Sequence, residues 1–240
     1  MNNITIENID IPILEDNINL KSSIYFSSET PTKAPFIINL PAFRENRDSK
    51  FVKFYSESFS KEGYYVLTYD HRAHGETAKQ TGSNWLKYIP QIFSDLQKVI
   101  SWIISYQKER LLDEKIVLFG RSIGGAIILT YGYKDIRVKL LIALCTRYDY
   151  STVRNVTFAP EIVKIMSPKY YIQNTPLNSE RIFIAHCKDD EVIPFDNLTQ
   201  IKNHLGLNDS NVLVFEEGGH SFRDHREELF SHALNFLKRL

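Results

Sequence analysis

The stretch Lys115-Ile116-Val117-Leu118-Phe119-Gly120-Arg121-Ser122-Ile123-Gly124-Gly125-Ala126 decides how this chain is read. The run Lys115–Phe119 is apolar after its first residue, as in a strand covered on both faces, and Ala126–Tyr133 continues with helical character. Between them stands G-x-S-x-G. A turn this tight leaves no room for side chains two residues either side of the serine, which accounts for Gly120 and Gly124. It lifts the Ser122 hydroxyl above the sheet edge and sets a helix N-terminus beneath it. The unpaired N–H groups and partial positive charge of that helix end suit a developing anion. Gly125 and Ala126 let the helix pack close to the sheet. The bare pentapeptide also occurs as a structural strand-to-helix turn, but the correct flanks make Ser122 a candidate nucleophile.

A serine hydroxyl needs an adjacent base at neutral pH, and on this strand–turn–helix the partners follow in the order Ser, acid, His. His220 follows Gly218-Gly219 just after the apolar run Asn211–Phe215. It therefore belongs to a loop at a strand's C-terminal end, where open α/β sheets bind ligands. The competing reading is an exposed histidine in a Gly-Gly turn. For the acid, Asp189, Asp190 and Glu191 stand in His186-Cys187-Lys188-Asp189-Asp190-Glu191-Val192-Ile193-Pro194, after the strand Arg181–Ala185. An acid pair there could also cap the next helix. Asp149, after the preceding strand, is a further alternative by position. Whichever acid acts would accept the ring N–H of His220, fix its tautomer and stabilise the imidazolium.

Working outward, short apolar runs (Phe36–Leu40, Tyr65–Tyr69, Val138–Leu144) alternate with segments of helical period. Ile89, Ile92, Phe93, Leu96, Val99, Ile100, Ile103 and Ile104 form one apolar stripe. Leu229, Phe230, Ala233, Leu234 and Leu237 form another, and Phe51, Phe54, Tyr55 and Phe59 a shorter one. Ile4–Ile9 and Ile18–Phe26 read as an antiparallel strand pair at one edge of the sheet. This order predicts an α/β fold, a mostly parallel central sheet with helices on both faces. Thr146–Ser179 lacks a clean period and clusters aromatic and proline residues. A structureless loop of that length is unusual, so residues 146–179 are expected to be a small helical lid or cap within a single domain, 1–240.

Composition narrows the function classes. The 240 residues carry 29 Lys+Arg against 29 Asp+Glu, a formal net charge of zero. Nucleic acid and anionic membrane surfaces reward a basic excess, so neither is expected as a partner. Cys145 and Cys187 adjoin apolar runs and read as buried thiols rather than a disulfide framework. The opening MNNITIENIDIP lacks an apolar core of signal-peptide length, and no apolar run reaches the length of a membrane span. A cytoplasmic location is the expectation.

Four separated motifs now carry a resemblance. They are Asn39-Leu40-Pro41-Ala42-Phe43, Asp70-His71-Arg72-Ala73-His74-Gly75-Glu76-Thr77, the serine turn, and Asp190-Glu191-Val192-Ile193-Pro194 followed by Gly219-His220. Their joint order, spanning about Phe36 to His220, resembles the α/β-hydrolase superfamily and its small esterase, lipase and serine-aminopeptidase-like branches. The resemblance implies the α/β-hydrolase fold and selects Asp190 over Asp189, because the acid usually precedes a Val-x-Pro-like ending. It also implies an oxyanion hole made by the backbone N–H groups of Phe43 and Ile123. Pro41-Ala42 stand where His-Gly is usual, and Ala73 replaces a glycine of the Asp-x-Arg-Gly-x-Gly pattern. That pattern is structural, so His71 and His74 are not expected to be catalytic; as a His-x-x-His metal pair they lack a third ligand.

The implied activity is that of a serine hydrolase, carboxylesterase-like. It cleaves a small carboxylic ester or thioester through an acyl-enzyme, with Ser122, Asp190 and His220 and no metal or organic cofactor. An aminopeptidase-like amidase, an acyltransferase and a non-catalytic binding protein remain as alternatives. Serine at 122 excludes a haloalkane dehalogenase. The aromatic residues of 146–179, with Phe43, suggest an apolar pocket or simple packing.

Overall fold

Ile37 and Ile38 are neighbours in the chain and both fully buried, yet they belong to different cores. Consecutive side chains of a strand point to opposite faces, so a strand buried on both faces needs a helical layer on each. Ile116 and Leu118 repeat the pattern on the face of Ile38, and Val117 and Phe119 on that of Ile37. The computed structural model describes residues 3–240; Met1 and Asn2 of the N-terminal stretch lie outside the described residues.

The strands are β1 (Ile4–Ile13), β2 (Ile18–Ser27), β3 (Ala34–Leu40), β4 (Tyr65–Tyr69), β5 (Leu111–Arg121), β6 (Val138–Leu144), β7 (Ile182–Cys187) and β8 (Val212–Phe215). They form one sheet in the order β1-β2-β4-β3-β5-β6-β7-β8. β1 pairs antiparallel with β2, and β2 with β4; every other pair is parallel. This is the mostly parallel α/β-hydrolase sheet that the sequence predicts.

The helices are α1 (Lys50–Lys61), α2 (Ala78–Thr81), α3 (Ile89–Tyr106), α4 (Ile123–Ile127), α5 (Pro160–Met166), α6 (Asn178–Arg181), α7 (Asp196–Leu205) and α8 (Arg226–Leu237). α1 and α8 cover one face, α3, α4 and α7 the other. α3 buries seven apolar side chains from Ile89 to Ile103. At about 1.5–3 kcal/mol for each large side chain removed from water, this stripe outweighs any local preference of its β-branched residues. Pro90 falls in the first turn, where its missing N–H costs nothing.

Two strands run longer than the apolar runs suggest. β1 continues to Ile13 because an edge strand needs only alternate apolar residues, and Ile9, Ile11 and Ile13 supply them. β5 starts at Leu111, and the charged Asp113 and Glu114 take left-handed φ of 44° and 53° where its pairing with β3 shifts register. That bulge interrupts the apolar pattern without ending the strand. Segment 146–179 contains α5, the first half of α6 and two 3-10 turns, Tyr150–Thr152 and Pro168–Tyr170.

Topology then fixes where chemistry can happen. From β3 the chain moves to β4 on one side and later to β5 on the other. Beyond the C-terminal ends of β3 and β5 the connecting loops diverge and leave a crevice. Pro41–Phe43 leave β3 there, and Ser122 leaves β5.

Candidate active site

Ser122 adopts φ 61° and ψ −119°, a left-handed backbone that costs a non-glycine residue energy and must be held by its surroundings. Its N–H donates to the Leu144 carbonyl on β6 at 2.9 Å, and its own carbonyl accepts from Ala126 N–H at 3.0 Å. The flanking glycines are required by the end of β3. A Cβ on Gly124 would stand 2.5 Å from the Leu40 carbonyl oxygen, and one on Gly120 3.0 Å from the same atom. Both glycines of the motif are thus explained by one neighbouring carbonyl.

His220 occupies a 3-10 turn, Gly219–Ser221, after β8. The acidic run after β7 divides its work. Asp189 accepts the N–H groups of Gly218 at 3.1 Å and Gly219 at 2.7 Å, shaping the turn that presents His220. Asp190 accepts from His220 Nδ1 at 2.7 Å through Oδ2. Its Oδ1 accepts the N–H groups of Val192 and Ile193, both at 2.9 Å. The buried His186 Nε2 stands 3.1 Å from Oδ2 and 2.9 Å from the Ile193 carbonyl. Burial works to raise the Asp190 pKa. The hydrogen bonds from His186 and His220, the charge on His220 and the Ile193 N–H outweigh it and hold the carboxyl well below the usual range. Asp149 is engaged elsewhere: it pairs with Lys169 and accepts Ser151 N–H at 2.9 Å.

Ser122, Ile123 and Phe43 line one cavity of about 250 Å³. Neither the Phe43 nor the Ile123 N–H has a protein acceptor among the described residues. No hydrogen bond joins Ser122 Oγ to the His220 ring; the connection between their loops is made by Arg121. Its Nη1 donates to the His220 carbonyl at 2.8 Å and to Ser221 Oγ at 2.5 Å. Its Nη2 donates to Glu45 at 2.6 Å, and Glu45 in turn accepts the Ala42 N–H at 3.1 Å. Arg121 therefore ties the serine turn to both the histidine loop and the loop after β3. As the variable residue of G-x-S-x-G it gave no signal in the sequence.

The remaining cavity wall is largely apolar: Trp85, Tyr150, Val153, Val156, Phe158 and Met166, with Val192 and Ile193 from the loop of Asp190. Five of these residues come from segment 146–179, where aromatic content pointed to Tyr150 and Phe158 but not to Val153, Val156 or Met166. Trp85 and Arg147 carry no signal in the sequence that would place them here. A cleft of about 400 Å³ bounded by Asp113, Lys115, Val138 and Arg181 lies at the other end of the strands, far from the serine turn.

His71 and His74 are structural in their contacts. His71 Nε2 lies 3.1 Å from the Pro41 carbonyl and His74 Nδ1 2.8 Å from that of Arg72. Asp70 knots this segment together: it accepts Arg47 N–H at 2.8 Å, Arg47 Nη1 at 2.9 Å and Glu76 N–H at 2.7 Å. Among the described residues, Cys145, Asp190 and His220 form the one cluster with three possible metal-ligand atoms within 4.8 Å. The Asp190 oxygens there are already taken by hydrogen bonds, and burial holds the Cys145 thiol protonated rather than as the thiolate a metal requires. Both cysteines are buried.

Residues 46–180, more than half of the chain, match the family described as serine aminopeptidase, S33. The chain belongs to that family. Its S33 match takes in α1, the Asp70 knot, the serine turn and all of segment 146–179. A 91-residue stretch is 28% identical to an uncharacterized 31.7 kDa protein of the traX-finO intergenic region of Escherichia coli, covering 37% of this chain and 29% of that one. The match therefore spans less than a third of that relative's length.

Among solved structures, this S33-family chain resembles Est1E from Butyrivibrio proteoclasticus with ferulic acid bound. The TM-score is 0.80 at 15% identity, over 96% of this chain and 98% of that one. An acylaminoacyl peptidase of Pyrococcus horikoshii aligns at TM-score 0.77 and 16% identity, over 98% of this chain and 41% of its own. The esterase domain of a Rhodothermus marinus protein aligns at 0.70 and 14%, over 98% of both. At these identities the likeness is one of fold. No helix among the described residues is long and apolar enough to cross a membrane.

Proposed function

We propose that this protein is a serine hydrolase that cleaves a small carboxylic ester or thioester through an acyl-enzyme. Ser122 is the nucleophile, His220 the base and Asp190 the acid that orients it. The observation that carries this reading is the 2.7 Å bond from His220 Nδ1 to a carboxylate kept ionised, on loops that Arg121 ties to the serine turn. With Nδ1 bound to Asp190, the tautomer leaves Nε2 free to take the Ser122 proton.

In the proposed reaction Ser122 Oγ bonds to the carbonyl carbon as its proton passes to His220 Nε2. The oxyanion is held by the N–H groups of Phe43 and Ile123, each worth about 2.7–4 kcal/mol in comparable sites. His220 then protonates the departing alcohol or thiol. Water repeats the sequence on the acyl group and restores Ser122. Hydrogen bonds between nucleophile and base commonly tighten only once substrate is bound, so the open Ser122–His220 link is compatible with this role.

Est1E and the Rhodothermus esterase domain favour an ester, while the S33 description and the acylaminoacyl peptidase favour an amide. Among the described residues, no acidic side chain lines the cavity to receive the ammonium of a free peptide N-terminus. That lining favours the ester. A fluorophosphonate probe tests the reading directly: it should label the wild-type protein and not Ser122→Ala. Labelling that persists in Ser122→Ala, or an unreactive wild type, would remove Ser122 from the role. A panel of esters, thioesters and aminoacyl amides then ranks the leaving groups.

A further inference from the structure

Of the residues lining the cavity beside Ser122, Arg147 alone is charged. It is 9% exposed and has no carboxylate within salt-bridge distance among the described residues. Its two hydrogen bonds go to neutral oxygens and are long: Nη1 to Thr152 Oγ1 at 3.3 Å and Nη2 to the Val192 carbonyl at 3.2 Å. A guanidinium has five N–H donors, so most of them have no protein acceptor among the described residues.

The carboxylates in its neighbourhood are committed to other donors. Asp149 is paired with Lys169, and Asp190 receives His220, His186 and two backbone N–H groups. Burial pulls the Arg147 pKa below its ordinary value, and Tyr150, Asp190 and Asp149 only partly offset this. A desolvated cation without a counter-charge is costly, and a substrate that supplied the anion would recover that cost on binding. Tyr150 lines the same wall, and its hydroxyl, without a protein acceptor among the described residues, adds a donor. Arg147 is within reach of the reacting centre: it follows by three residues Leu144, whose carbonyl accepts Ser122 N–H at 2.9 Å. Three residues span at most about 11 Å.

We infer that Arg147 is a specificity-determining residue that receives a carboxylate carried by the substrate, so that the preferred esters are apolar molecules bearing one anionic group. The inference rests on the proposed hydrolase reading and deepens it. The planar fork of the guanidinium matches a carboxylate in a bidentate manner, while the apolar wall accepts the rest of the molecule. The anion can be carried by the acyl part or by the alcohol part, and two substrate pairs separate these sources.

The wild-type protein is assayed with 4-nitrophenyl hydrogen adipate against 4-nitrophenyl hexanoate, and with 3-acetoxybenzoate against 3-acetoxybenzamide. One pair should show kcat/KM at least about tenfold higher for the carboxylate member. Arg147→Gln should lower that ratio at least about tenfold, chiefly through KM, and Arg147→Lys should restore part of it, as expected for loss of a charge-assisted hydrogen bond. If Arg147 served only to brace the Val192 loop, its replacement would slow both members alike and leave the ratio unmoved.

A wild-type ratio near one in both pairs overturns the inference even if Arg147→Gln fails to fold. Neutral esters turned over in a Ser122-dependent manner without carboxylate preference refute Arg147's role alone. No turnover of any ester, together with an unlabelled Ser122, refutes the hydrolase reading and this inference with it.

Discussion

Arg121 holds the main-chain carbonyl of His220 at 2.8 Å, so the residue just before the candidate nucleophile fixes the loop of the candidate base. The guanidinium is buried, with the Phe51 ring 4.4 Å from its centre, and its other arm reaches Glu45 on the loop that carries Phe43. One side chain thereby sets the spacing of three loops that arrive from β3, β5 and β8.

Removing that tie while keeping the packing is expected to slow turnover more than it harms the fold. Arg121→Met should lower kcat about tenfold to a hundredfold, the range for losing a hydrogen-bonded charge. KM should change less. Steady-state kinetics with a simple ester, alongside a thermal melt, provides the check. A variant with normal kcat would show that the loops hold their places without the arginine.

The choice of acid is testable by comparing two variants. Asp190→Asn should leave the protein folded and reduce kcat by up to about ten-thousandfold, because the imidazole loses its orienting charge and tautomer. Asp149→Asn breaks only the pair with Lys169 and should change kcat by no more than a few-fold. Its stability should move by no more than about 1 kcal/mol, since both partners are partly exposed. The reverse ranking of the two variants would reassign the acid.

The depressed pKa of Asp190 also predicts a pH dependence of stability. A carboxyl whose folded pKa lies below its unfolded value of about 3.9 adds stability that is complete above that value. The contribution is lost progressively as pH falls below it toward the folded pKa. Urea unfolding at pH 6 and at pH 3 should therefore show wild type and Asp190→Asn differing most at pH 6. A gap that widens on acidification would contradict the depressed value.

Gly124→Ala would bring a methyl group to 2.5 Å from the Leu40 carbonyl, a backbone atom that cannot swing aside. Overpacking of this kind costs about 1–3 kcal/mol, and about 2–4 °C of Tm accompanies each kcal/mol in a domain of this size. A fall in Tm within that range is expected, with a slower reaction toward fluorophosphonate as the turn shifts. An unchanged Tm would mean that β3 gives way.

The parallel strands and the covering helices were legible because burial leaves a local trace. β6 and β7 are apolar apart from Lys139 and His186, and the stripe from Ile89 to Ile103 keeps helical period. The serine turn was legible because its backbone demands glycine at fixed spacing. The ends of β1 and β5 were not, since an edge strand may alternate and a bulge may carry charge. Motif order ranked Asp190 above Asp189, but it did not show that Asp189 holds the turn of His220.

The sequence by itself determined the α/β-hydrolase sheet, the place of Ser122 in a strand-to-helix turn, and the order in which the candidate acid and candidate base follow it. These are properties of short segments, set by side-chain period and backbone conformation. Only the tertiary structure decided that Asp190 meets His220 while Asp149 meets Lys169, that Arg121 joins three loops, and that Arg147 faces an apolar cavity without a counter-ion. Such pairings join residues up to 100 positions apart, and a charged side chain carries in its own neighbourhood no record of which distant partner the fold will bring.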